Sequence, residues 1–378
     1  MITLIEGVLL VLIGGSIAFY LACAICTLRF FTTADSTIEP IFAPVSILVP
    51  VCGLEPGAWE NWSSLCKQDY PDYEVLFGVV DPADSAVPLL KQLAEMLPDR
   101  VRLFTGLTPR GINHKDSTLS YLLEAIQSEI VIFVDSDICV SSDYIRTVTA
   151  PLADPTVGIV TCAYVAHAPA FVSSALASLG RCCDFIPSAL IARVLDGGLR
   201  FAIGVTIATR KSSLANYGGL HLNRIGSDYN IGKRAARAGY RVELSHEVLE
   251  SDTERESLAQ LFQRELRWAR TIRFNRGPVY YTLAFCYGTV YCLPLLVLAQ
   301  FQPWAIAVAL TTYAIRYAQA IVAISGVKAP KLIGWLWLLP FRDGFSFVVW
   351  AIGAFGRVVY WRGRHLRIRG DGLITQWE

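Results

Sequence analysis

Apolar residues are distributed unevenly along this chain. They run almost unbroken from Ile2 to about Thr27 with one charge, Glu6, give way to patterned polar sequence from about Thr32 to Pro278, and return from Val279. The first stretch has the length that a bilayer core requires and no basic leader or clear cleavage site, which predicts an uncleaved anchor over residues 1–31. Within the polar half, "VSILVPV" (Val45–Val51), "YEVLFGVVD" (Tyr73–Asp81), "VRLFTG" (Val101–Gly106) and "EIVIFVDSD" (Glu129–Asp137) read as strands. Ala86–Leu97 and Ser117–Ser128 have helical spacing between them. Such alternation predicts an α/β domain over residues 32–278 with a doubly wound, mostly parallel sheet.

The apolar return predicts two spans, Val279–Phe301 and Pro303–Ser325, and Arg316 in the second needs shelter. A third region, Leu332–Phe355, is interrupted at "PFRDG" (Pro340–Gly344), and a re-entrant or interfacial pair is expected there, forming a floor or lateral gate for a lipid. Trp335, Trp337, Trp350 and Trp361 are expected as interfacial anchors. Residues 359–378 read as a basic tail. Arginines in that tail, with Lys328 and Lys331, favour the cytoplasmic side for the tail and the α/β domain.

Composition sharpens this picture. At 378 residues, 53% hydrophobic and mean hydropathy +0.43, the chain is too apolar for an ordinary soluble enzyme. A net charge of +1 with no mid-chain basic stripe argues against nucleic acid as a partner. Ten cysteines match neither a zinc ribbon nor a disulfide scaffold and read as reduced, with acylation of Cys23 and Cys26 as the alternative.

Acidic residues end the strands: Asp81 closes "FGVVD", Asp135 and Asp137 close "VIFVDSD", and Asp228 precedes a helical segment in "IGSDYNIG". Carboxylates at the carboxyl ends of parallel strands lie where such sheets bind ligands. If the segment is extended, Asp135 and Asp137 point the same way and offer oxygen ligands to one divalent ion; capping of the following turn is the other reading, and for Asp81 alone the two are balanced. Around "QRELRWARTIR" (Gln263–Arg273), Leu258, Phe262, Leu266 and Ala269 fall on one helical face, while Arg264, Arg267 and Trp268 gather on another. Arg270 and Arg273 suit a lipid surface.

The ordered series "VDSD", "SDYNIG" and "RELRW" resembles the D, D, D, (Q/R)xxRW pattern of lipid-linked inverting glycosyltransferases with the GT-A fold. With "KQDYPDYEVLFGVVDPAD", "GINHKDSTL" and "RFAIGVTIATRKSSLANYGGL", it is most similar to the ceramide glucosyltransferase family and its hopanoid-associated relatives, over nearly the whole chain. The resemblance implies Asp81 near uridine, Asp135 and Asp137 on metal and diphosphate, and Asp228 as general base. Arg264, Arg267 and Trp268 would be the terminal motif, and Glu55 and Lys115 would contact the nucleotide and phosphate. It further implies a divalent cation (Mn2+ or Mg2+), a UDP-sugar donor and a lipid acceptor at the bilayer. Glucose transfer to ceramide leads; transfer of N-acetylglucosamine to a hopanoid polyol, a processive polysaccharide synthase, and a transporter with a nucleotide-binding domain are the alternatives. Ser227, where many relatives carry an acidic residue, would leave Asp228 with one fewer like charge beside it.

Overall fold

The β-branched runs of the polar half build an eight-stranded sheet in the order β3-β2-β1-β4-β7-β6-β8-β5. Its strands are β1 (Val45–Val51), β2 (Tyr73–Val79), β3 (Val101–Thr105), β4 (Ile130–Val134), β5 (Ile138–Cys139), β6 (Val157–Val165), β7 (Thr206–Arg210) and β8 (Arg241–Ser251). The computed structural model describes residues 3–33, 42–251 and 256–377, so Ile2 and most of the expected start of the α/β domain lie outside the described residues. β3, β2, β1 and β4 are mutually parallel, β7 runs antiparallel between β4 and β6, and β6 pairs parallel with β8. Every residue of β4 is buried, as expected of a strand covered on both faces. Two of the expected helices form close to their predicted places, at Val87–Met96 and His114–Glu124.

The anchor forms a single helix, Leu4–Thr32, opened by a capping box in which the Glu6 N–H donates to Thr3 Oγ1 (3.2 Å) and the Thr3 N–H returns to Glu6 Oε2 (2.5 Å). Among the described residues four helices are long and apolar enough to cross a membrane: Leu4–Thr32, Val172–Leu195, Pro303–Gly326 and the continuous stretch Pro330–Gly353. Three differences from the sequence expectations follow from tertiary contacts. Val279–Phe301 does not form one span: a 3-10 helix, Gly277–Cys286, meets the α-helix Gly288–Leu298 at a bend of 55°. Tyr20 of the anchor holds the break, its hydroxyl accepting from the Gly288 N–H (3.0 Å) and donating to the Cys286 carbonyl (2.9 Å). Second, "PFRDG" is no interruption, because Pro340 sits in the first turn of the helix Leu339–Gly353, where its missing N–H costs nothing. Third, Val172–Leu195, expected within the polar domain, packs against the anchor and the membrane-length helices through a π-helical turn at Arg181–Phe185.

The shelter Arg316 needs is supplied across three elements. Its guanidinium donates to Asp343 Oδ1 (2.6 Å) and Asp184 Oδ1 (2.6 Å), while Thr289 donates to Asp343 Oδ2 (2.6 Å). Arg342 makes a bidentate pair with Glu265 (2.7 and 2.8 Å), so Arg342 and Asp343 face protein rather than lining a lipid gate. All ten cysteines are free. Because Arg316 and Asp343 are both almost fully buried, Arg316→Ala leaves an uncompensated carboxylate and is predicted to cost about 3–5 kcal/mol. Combining Arg316→Met with Asp343→Leu should recover most of that loss, which thermal unfolding in detergent will read.

Candidate active site

The chain leaves β1 toward β2 and β3, then returns to the other side of β1 to form β4, which creates a switch point at the carboxyl ends of β1 and β4. Glu55 follows β1, Asp81 follows β2, and Asp135 and Asp137 follow β4, so the predicted acidic residues share one sheet edge. β4 ends at Val134, however, and Ser136 and Asp137 lie in a turn, not in extended strand. The alternation argument for the Asp135 and Asp137 carboxylates therefore does not apply. Their proximity comes from the turn, which Trp62 supports by donating from Nε1 to the Ser136 carbonyl (3.2 Å). Burial, followed by the Asp135 and Glu55 charges, pushes the Asp137 carboxyl up to about 6. Asp81 is exposed and accepts the Ala83 N–H (2.9 Å), the turn-capping arrangement.

Lys115 stands at the start of the helix His114–Glu124, whose N-cap is Asn113. Its ammonium pairs with Asp135 and donates to the Gly204 carbonyl (3.1 Å). Asp228 occupies the first turn of the helix Ser227–Arg237, immediately after Gly226 in left-handed conformation (φ 63°). A Cβ at Gly204 would come within 2.7 Å of Asp228 Oδ2, and one at Gly232 within 2.2 Å of the Ala202 backbone. Gly204 and Gly232 thus both permit the close approach that puts Asp228 beside Lys115 in one cleft. Burial raises the Asp228 pKa, and Lys115 opposes the rise. Beneath them lies Asp116, which the sequence reading did not single out. Its carboxylate accepts from Asn113 Nδ2 (2.8 Å), and burial pushes it up to about 7 despite Lys115 and Ser227. Like charge near Asp228 thus comes from Asp135 and Asp116, through the fold, and not from the adjoining residue in the chain.

The arginine helix spans Leu258–Arg276 and opens with a Ser257/Gln260 capping box. Its buried face is Leu261, Glu265 and Thr271, whereas Leu258, expected on the packing stripe, is exposed. Arg264 pairs with Glu256 (2.6 Å) and lies 5.2 Å from the Trp268 ring centroid; Arg267 lies 5.5 Å from that of Trp361. Arg270 and Arg273 are engaged within the protein: Arg270 donates to the Phe355 (3.2 Å) and Val358 carbonyls, and Arg273 to those of Ala354 and Gly356.

The expected tail is also folded. β9 (Val358–Trp361), β10 (Arg364–Ile368) and β11 (Ile374–Gln376) form an antiparallel sheet whose first turn holds Arg362 at φ 47° and Gly363 at φ 77°. That tip returns to the site: Arg362 donates to the Cys52 carbonyl (2.9 Å) and pairs with Glu55 (3.3 Å). Arg364 donates to the Ile112 carbonyl (2.9 Å). Through its contact with Arg267, Trp361 is part of the site wall. The missed signal was "VVYWRGRHLRI", two strand-forming runs around an Arg-Gly pair suited to a tight hairpin.

The fold brings together Glu55, Lys115, Asp135, Asp137, Asp228, Arg264 and Arg267, with Trp268 stacked beside them; Asp81 stands apart at the surface. Among the described residues no three His, Cys, Asp or Glu side chains form a ready metal cage. Two crowded hard-oxygen ligands nevertheless fit a divalent ion of the kind that takes its remaining ligands from substrate phosphates and water.

Sheet order, acidic edge and cationic helix together define the class, a glycosyltransferase of GT-A-like fold. The chain belongs to glycosyl transferase family 21, whose sequence profile matches residues 8–374. It is similar to Ceramide glucosyltransferase 3 of Caenorhabditis elegans, 23% identical over 240 residues. That match covers 60% of this chain and 50% of the relative, so the chain spans about half the length of the curated relative it matches. Among solved structures it is similar to a mannosyltransferase from Pyrobaculum calidifontis in complex with GDP-Man and Mn2+. The identity is 19%, the match covers 93% of this chain and 99% of that one, and the TM-score of 0.57 reflects a shared fold.

Burial of Asp116 yields a pH prediction. With its folded pKa raised to about 7 from 3.8, the native state retains a proton that the unfolded chain releases. Stability therefore falls as pH rises from about 4 through about 7. Asp116→Asn should melt higher than wild type at pH 8, with the gap closing by pH 4, as differential scanning fluorimetry will show.

Proposed function

We propose that this chain transfers a hexose, glucose in the leading reading, from a UDP-sugar to a lipid hydroxyl, ceramide in the leading reading, with inversion, at the cytoplasmic face of a membrane. The observation that carries the proposal is the placement of Arg264 and Arg267, on a helix continued by the apolar 3-10 helix Gly277–Cys286, against the acidic edge that presents Asp228. Family membership supports the sugar-transfer chemistry, and the similarity to a ceramide glucosyltransferase supports ceramide and glucose. The mannosyltransferase's complex with a nucleotide-sugar and Mn2+ supports donor and ion in general terms. Clustering of arginine in β9–β11 and of Lys328 and Lys331 supports the orientation.

In this reading Asp228 accepts the proton of the acceptor hydroxyl as its oxygen bonds to the anomeric carbon, and the bond from that carbon to the diphosphate breaks on the opposite face, inverting the centre. Asp135 and Asp137 would hold a divalent ion, which when bound offsets negative charge on the departing diphosphate. Arg264 and Arg267 present guanidinium forks to phosphate oxygens, and Trp268 and Trp361 exclude water from the reacting groups.

Asp228→Asn should lower transfer by at least about 100-fold, the usual contribution of a general base, while UDP-sugar binding persists. The assay pairs labelled UDP-glucose or UDP-N-acetylglucosamine with ceramide or a hopanoid polyol and counts label in the lipid phase. Label reaching only the hopanoid would move the acceptor; undiminished transfer by Asp228→Asn would remove the base. Because Lys115 holds down the pKa of a base that burial raises, Lys115→Met should move the acid limb of the kcat/KM profile to higher pH.

A further inference from the structure

Arg181 begins the π-helical turn of Val172–Leu195, a local distortion that frequently marks functional positions. Its side chain is buried, with the residue only 6% exposed, yet among the described residues it makes no hydrogen bond or ion pair. Nε and Nη1 are shielded from solvent without an acceptor, and the guanidinium carbon lies 4.7 Å from the centroid of the Tyr164 ring on β6. Arg264 lies beside it, and the Nε of Arg264 is likewise buried without an acceptor. Arg264 also pairs with Glu256 (2.6 Å), whose carboxylate lies in the field of Arg181 as well, but one carboxylate leaves two guanidiniums in a dry site with unused donors, a cost that a further anion would lift. Asp137 lies in the field of Arg181, and the Tyr164 hydroxyl lies in the fields of Arg181, Arg264, Asp137 and Asp135, so the vacant donors adjoin the carboxylate pair where a donor diphosphate would lie.

We propose that Arg181 is a second phosphate-binding guanidinium, closing with Arg264 on a phosphate oxyanion of the nucleotide-sugar diphosphate beside Asp137. This rests on the nucleotide-sugar reading above. It assigns a substrate contact to a residue outside the acidic series and the arginine motif. It also explains the π turn: the same five residues turn Arg181 toward the sheet edge and Asp184 toward Arg316.

The test uses full-length protein in nanodiscs and titrates UDP, inorganic pyrophosphate and uridine against wild type, Arg181→Met and Arg181→Lys, with ligand-free melting recorded for each. Arg181→Met should weaken UDP and pyrophosphate binding about tenfold or more, as expected for loss of a charge-assisted contact, and leave uridine binding unchanged. Arg181→Lys should fall between. Ligand-free Arg181→Met should melt at or above the wild-type temperature, since it removes an unpaired buried charge. Wild-type binding of UDP with equal affinity in Arg181→Met, or a lower melting temperature with unchanged affinity, would make Arg181 structural and overturn the proposal. Unchanged UDP affinity with a lost preference for anionic over zwitterionic nanodisc lipid would reassign the oxyanion to a lipid headgroup and overturn the donor assignment. Wild-type protein that binds neither UDP nor pyrophosphate would instead sink the nucleotide-sugar reading beneath it.

Discussion

A guanidinium inside an apolar helix needs a carboxylate within reach, and here that requirement ties the membrane-length helices to the site. Arg316 draws in Asp343 and Asp184; Arg342, next in chain to Asp343, draws in Glu265 on the arginine helix and lies 3.5 Å from Asp184. Asp184 belongs to the π turn that carries Arg181, and Glu265 stands between Arg264 and Arg267. The network is therefore a set of positional constraints on both arginine-bearing elements. Replacing such a network by apolar residues often leaves stability intact, so its value here lies in orientation more than in energy.

A second constraint comes from the C-terminus. After Gly353 the chain returns to the α/β domain, where Arg270 and Arg273 tie down the carbonyls of residues 354–358 and Arg362 reaches the loop after β1. The sheet edge is consequently walled on one side by the arginine helix and on another by the β9–β10 hairpin. Asp84 joins the remaining loops, accepting the Gly53 N–H (2.8 Å) with one oxygen and the Ala86 N–H (2.9 Å) with the other.

What the sequence made legible is what local pattern controls. β1 has the bounds its β-branched run implied, and Asp135, Asp137 and Asp228 could be found because strand ends and helix starts are local features. Contacts distant in the chain were not legible. The break at Tyr287 depends on a Tyr20 hydroxyl 268 residues from Gly288, and the partners of Arg316 lie 27 and 132 residues away. Hydropathy marks Arg316, Arg342 and Asp343 as costly without saying that they answer one another. The hairpin was missed for another reason: its arginines were read as charge, and the strand-forming residues between them were overlooked.

The same distinction decides what the arginine helix is for. A cationic stripe built for headgroups would keep its guanidinium forks turned outward. Here Arg270 and Arg273 use theirs on backbone carbonyls, and Arg276 lies against the rings of Phe201 and Tyr229. Glu265, the acidic residue between Arg264 and Arg267, is engaged by Arg342 and is not free to neutralise either. Arg264, although paired with Glu256, retains a buried Nε without an acceptor, and Arg267 lies in the field of Asp228. Guanidinium donors thus remain unused on the face turned toward the acidic edge and are used up on the others, an arrangement suited to a ligand that presents phosphate to arginine while reacting beside a carboxylate.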